Sequence, residues 1–159
     1  MRVTRSAFFV CVALIAALAL GGTARAADPQ SGTWKLNTAK SSYSPGPVPK
    51  SLTLTVKADE KSLTIHSEGV DGAGKPTKVD FTANFDGKDY PATGIAAGDM
   101  VSIERVDPNT IRVSMKKDGK TLMTVTSVVS KDGKTRTSTF VGKDSEGHDV
   151  KNVAVYERQ

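Results

Sequence analysis

Beyond its first 26 residues this chain has no cysteine; the one it contains, Cys11, lies inside an N-terminal apolar run. Disulfides, thiol chemistry and cysteine-ligated metal are thereby excluded from everything downstream. Histidine is almost as scarce, with two. His66 shares a strand face with Glu68, which alternation points at solvent, and His148 lies in the Asp144–Asp149 loop. No Ser-His-Asp grouping or inward carboxylate pair accompanies them. No catalytic residue, metal site or cofactor is therefore expected, and the chain reads as a non-enzyme. Aromatic residues make up 6% of the chain, and no clustered basic face joins them, which speaks against nucleic-acid binding. No segment after residue 26 carries the three-and-four spacing of an amphipathic helix.

Residues 1–26 have the layout of a secretory signal peptide. Arg2 and Arg5 open it, Ala7 to Leu20 are apolar, and Ala24-Arg25-Ala26 is a small-x-small cleavage site. The apolar run is short for a membrane span, which needs about 20 residues. Phe8-Phe9-Val10 before Cys11 does not suit a lipid-attachment site. The expected product is residues 27–159, a single domain with no membrane span, located in the periplasm or outside the cell. Of the 22 Lys and Arg, Arg2, Arg5 and Arg25 leave with the leader, and 19 remain against 17 Asp and Glu. The mature charge is thus close to neutral, and the high pI belongs partly to the leader.

What is present is one pattern repeated. Leu52, Leu54 and Val56 alternate with polar residues, as do Leu63 and Ile65, then Val79, Phe81, Ala83 and Phe85. That is the period of half-buried strands. Further short strands follow near 88–91, 100–106, 111–117, 121–130, 135–141 and 150–158. Asp86-Gly87, Asp118-Gly119 and Asp132-Gly133 sit between such runs, and Asp-Gly accepts the positive φ of tight hairpin turns. Asn37–Lys50 is different. Pro45, Pro47 and Pro49 exclude a helix and make it an extended linker or a cover over one mouth. Irregular backbone is expected at Gly94–Gly98. The fold expected is all-β, an up-and-down antiparallel meander closed into a barrel of about eight to ten strands. Closure removes the two edges an open meander would expose.

Gly32-Thr33-Trp34 on the first strand and Tyr156-Glu157-Arg158 at the end of the last resemble the calycins, the lipocalin and fatty-acid-binding-protein barrels. The resemblance implies that Gly32, Trp34 and Arg158 close the barrel, with the Arg158 cation over the Trp34 indole. The departures are specific. Asn37–Lys50 is too proline-rich for a two-helix lid, and Ala154 stands where the fatty-acid-binding proteins place an arginine two residues before Tyr156. The chain also stops just after a strand, where lipocalins add a helix.

Hairpin counting gives an inward face. A two-residue turn at Asp118-Gly119 sets Met115 opposite Leu122, Val113 opposite Thr124 and Ile111 opposite Thr126. Continuing through Asp132-Gly133 sets Thr126 opposite Thr139 and Val128 opposite Thr137. Met115, Thr124, Thr126, Thr137 and Thr139 then line the lumen, with Arg105 and Tyr156 among them. An arginine in an apolar lumen suits a carboxylate head group. The function expected is an exported barrel that carries a small amphipathic, lipid-like carboxylate as a monomer. The alternative is a packed barrel that works as a protein-interaction module, an inhibitor or an envelope-assembly factor.

Overall fold

Residues 27–96, 98–144 and 146–159 are described by a computed structural model; the leader expected over residues 1–26 lies outside them. The alternating runs form ten antiparallel strands: β1 (Gly32–Leu36), β2 (Ser51–Ala58), β3 (Ser62–Val70), β4 (Pro76–Asn84), β5 (Tyr90–Thr93), β6 (Met100–Asp107), β7 (Thr110–Lys117), β8 (Lys120–Val129), β9 (Thr135–Lys143) and β10 (Asp149–Arg158). Each pairs with its successor, and β1 closes on β10. This is the expected meander barrel. Among the described residues the helical backbone is one 3₁₀ turn, Thr38–Lys40, and no helix is long and apolar enough to cross a membrane.

The closing seam pairs Trp34 with Arg158, Lys35 with Glu157 and Leu36 with Tyr156. Past the 3₁₀ turn the chain rejoins β10. Ser42 and Val153 exchange backbone hydrogen bonds of 2.8 and 2.7 Å, and Lys151 N donates to Ser44 O at 2.8 Å. The first half of the proline-rich stretch is thus a strap that extends β1 along β10. Its second half crosses to β2, with Pro47 packed so closely on Gly72 that a side chain there would collide.

The Asp118-Gly119 turn has φ of 49° and 74°, both left-handed, as a two-residue hairpin requires. It pairs Lys117 with Lys120 and Lys116 with Thr121, but the next pair is Met115 with Met123. Leu122 is an extra residue, a β-bulge. One unpaired residue sends every later side chain on that strand to the other face. Val125, Ser127 and Val129 therefore point inward on β8, while Val128 is 43% exposed.

Inside, Trp34, Leu36, Leu54, Val56, Leu63, Ile65, Phe81, Ala83, Val101, Ile103, Ile111, Val113, Val125, Ala154 and Tyr156 form one apolar cluster, each at most 8% exposed. Half-buried Tyr43, Val48, Leu52, Val79, Met115 and Phe140 pack against it. Small side chains, Ala83, Ala92, Ala154, Ser127 and Ser138, are buried among them.

Candidate functional site

The closed end is built where β1 meets β10. Arg158 lies 4.0 Å over the Trp34 ring and donates to three main-chain carbonyls, those of Pro29, Ser31 and Gly133. Gly32 has φ of 139°, and a side chain on it would run into Arg158 Nη1. Glycine is needed there so that the guanidinium can reach indole and backbone together. Trp34 Nε1 donates to Gln30 O at 3.2 Å, which ties the segment before β1 under the barrel as its floor.

Arg105 belongs to this floor. Its Nη2 is 2.7 Å from Asp28 Oδ2 and 2.9 Å from Asp59 O, and its guanidinium lies over Phe85. The register that puts it on the side of Val101 and Ile103 is present, with Ile103 opposite Val113 and Arg105 opposite Ile111. Its counter-ion comes from Asp28, in a segment outside any strand and so outside a count of strand faces. Arg105 is a structural ion pair, not a free anchor for a ligand.

The four threonines are corrected as well. Thr126 does pair with Thr139 and Val128 with Thr137, but the Leu122 bulge has turned that whole hairpin over. Thr124, Thr126, Thr137 and Thr139 alternate with buried Val125, Ser127, Arg136 and Ser138. They share the outer face with Val141, which is 53% exposed, and they do not line the lumen. Met115 faces in, half-buried, toward the end carrying the strap. Tyr156 faces in and is 3% exposed.

Turning the hairpin over brings in a residue that the misassigned face had hidden. Arg136, on β9, is 1% exposed and lies directly across the sheet from Tyr156. Arg136 Nη1 donates to Gln30 Oε1 at 2.7 Å, and its Nε is buried without a partner. Among the described residues no carboxylate pairs with it. Burial pulls its pKa down to about 10; Tyr156 opposes that shift, and nearby Arg158 adds to it. Burial also drives the Tyr156 phenol up, with a contribution from Tyr43, whose own pKa burial raises to about 12. Tyr43, on the strap, packs half-buried against the core cluster to which Tyr156 belongs. Above them Ser127 Oγ and Ser138 Oγ share a buried hydrogen bond of 2.7 Å. The interior side of β8–β9–β10 thus carries a polar seam, while the rest of the lining is mainly apolar, with Ser67 buried beside Leu63 and Ile65 on β3 and Phe81 buried on β4.

On the outer wall, His66 is held at both ring nitrogens, by Asp80 at Nδ1 and by Glu68 at 3.3 Å from Nε2. No ring lone pair is left for a metal without breaking one of these contacts. The Asp80 hydrogen bond, then the Glu68 one, raises the His66 pKa above 6.5. A raised folded pKa makes the contribution to stability complete below the unfolded value and lost as pH rises through the folded one. The Tm advantage of wild type over His66→Gln is therefore expected to be largest below pH 6.5 and to shrink above it. Melting curves of the two proteins across that range check this, and a pH-independent difference would refute it.

Neither a family model nor a curated relative matches the sequence. Among solved structures, a redesigned β-barrel aligns over 85% of this chain and 96% of its own, at 18% identity and a TM-score of 0.46. Zebrafish ileal bile acid-binding protein complexed with cholic acid aligns over 82% of this chain and 99% of its own, at 11% identity and a TM-score of 0.49. This chain's own architecture is a meander of ten strands, closed first to last, with Trp34 and Arg158 at the seam.

Proposed function

We propose that this protein is an exported barrel that binds a small amphipathic anion, a lipid-like carboxylate, with Arg136 as the head-group anchor. The observation that carries this reading is Arg136 itself: a guanidinium 1% exposed, with an unpartnered Nε and no carboxylate beside it among the described residues. An uncompensated buried charge costs several kcal/mol, and a bound anion removes that cost. Tyr156 stands opposite to donate a second hydrogen bond. The mainly apolar remainder of the lining suits an acyl chain, and the half-buried ring of Met115, Phe140, Leu52 and Val79 under the strap is the natural entrance. Entry requires the strap to lift and to draw Tyr43 out.

The test is titration of mature protein with a fluorescent fatty acid. A hydrogen bond to a charged group contributes about 1.5–3 kcal/mol, so Arg136→Gln is expected to weaken binding at least tenfold. Arg105→Gln, which touches only the floor, is expected to leave affinity nearly unchanged. Absence of binding by wild type overturns the reading. One observation favours the alternative, a protein-interaction barrel: the buried cluster residues are at most 8% exposed, as in a packed core. Native mass spectrometry separates the two readings, since a carrier retains small-molecule mass after gentle purification and a packed barrel does not.

A further inference from the structure

The buried serine pair needs a reason of its own. Ser127 and Ser138 stand opposite each other on β8 and β9, each 3% exposed, with Ala154 next to Ser138 on β10. Packing alone is served equally well by alanine at both positions. Two hydroxyls carry two protons, and the 2.7 Å bond between them uses one. Among the described residues the second proton has no acceptor, and a buried hydroxyl donor left unmet is a cost without a return inside the barrel.

The same seam has a second unmet donor, Arg136 Nε. Ser138 lies two residues along β9 from Arg136 on the same face, roughly 7 Å along the strand, a span of a few carbon–carbon bonds. Ala154, beside Ser138 on β10, puts only a methyl group next to the hydroxyls. The wall therefore presents donors at two levels, one cationic and one neutral, separated by a short step.

We propose that the Ser127–Ser138 pair makes the site selective for acyl acids that carry an oxygen on the chain within a few carbons of the carboxyl, 3-hydroxy acids being the class that fits. This rests on the assignment of Arg136 as head-group anchor. The carboxylate takes the Arg136 donor, and the chain hydroxyl accepts the spare serine proton while giving its own back to a serine oxygen. A plain acyl chain at the same place leaves the serine proton unmet.

The experiment is displacement of the fluorescent fatty acid by 3-hydroxytetradecanoic acid and by tetradecanoic acid. Wild type is expected to prefer the hydroxy acid about tenfold, the value of one neutral hydrogen bond. The Ser127→Ala/Ser138→Ala double variant is expected to bind both acids within about twofold of each other, with its affinity for tetradecanoic acid retained. Each single variant, which keeps one hydroxyl, guards against a folding defect in the double one. Equal binding of the two acids by wild type, or an undiminished preference in the double variant, overturns the selectivity and leaves the Arg136 reading standing. Failure of wild type to bind either acid overturns both.

Discussion

Trp34→Ala is expected to lower stability by about 3–5 kcal/mol, the range for removing a fully buried large aromatic. Trp34 is 0% exposed, and its ring is held on two sides at once. Its Nε1 bonds the Gln30 carbonyl, and the Arg158 guanidinium covers its face. Loss of the indole therefore opens a cavity, frees the floor segment and strips Arg158 of its stacking surface. Chemical denaturation of wild type and variant reads the loss. A double-mutant cycle with Arg158→Ala isolates the contact, and an interaction of at least about 0.5 kcal/mol is expected for groups that touch. Strict additivity would mean that the cation and the indole do not meet in solution.

The second large effect is at Gln30, 0% exposed. Its side chain bonds both Asn109 O, at 2.7 Å, and Arg136 Nη1. Gln30→Leu keeps the volume and removes both bonds. A hydrogen bond to a charged group and one to a carbonyl together come to about 2–4 kcal/mol. Adding Arg136→Met should recover part of that loss, because replacing both partners by apolar groups removes the stranded buried charge. A coupling of about 1 kcal/mol or more is expected. If Arg136→Met makes the Gln30→Leu protein still less stable, Arg136 is not the charge that Gln30 satisfies.

Much of the barrel could be read from the chain because its evidence is local and repeated. Alternation marked the strands, Asp-Gly marked the turns, and the two ends matched a closing pair. Even the pairing of Thr126 with Thr139 followed from counting. The interior face of β8 and β9 did not, and the cause is one residue. Nothing in Thr121-Leu122-Met123 distinguishes a bulge from a regular strand, because Leu122 and Met123 are both apolar and either could face in. With the hairpin inverted, Arg136 counted as outward, the ordinary place for an arginine, and the threonines took its position. A signal was available: Thr135, Thr137 and Thr139 form an unbroken polar rank, which suits a solvent face better than a lumen.

Arg105 failed for a different reason. Its inward register was legible, but its partner, Asp28, lies in residues before the first strand, where no periodicity applies. Only the three-dimensional return of that segment beneath the barrel shows that the charge is already matched. The strap was half legible. Proline excluded a helix, while the hydrogen bonds of Ser41, Ser42 and Ser44 to β10 depend on a strand more than 100 positions away.

The pairing of β1 with β10 also sets an order of events. Every other strand finds its partner next to it in the chain and can zip as a hairpin, whereas β1 must wait for residues 156–158. Joining segments so distant carries the largest loop-closure entropy in the molecule, and non-local contacts of this kind slow folding. As the chain emerges from its N-terminal end, β1 can add β2 on one side but keeps its other edge bare until the last few residues arrive. The newest strand throughout that time presents a second bare edge, which is the form of sheet most prone to join another chain. Arg158, stacked on Trp34 and bound to carbonyls on both sides of the seam, is the latch that ends this exposed interval.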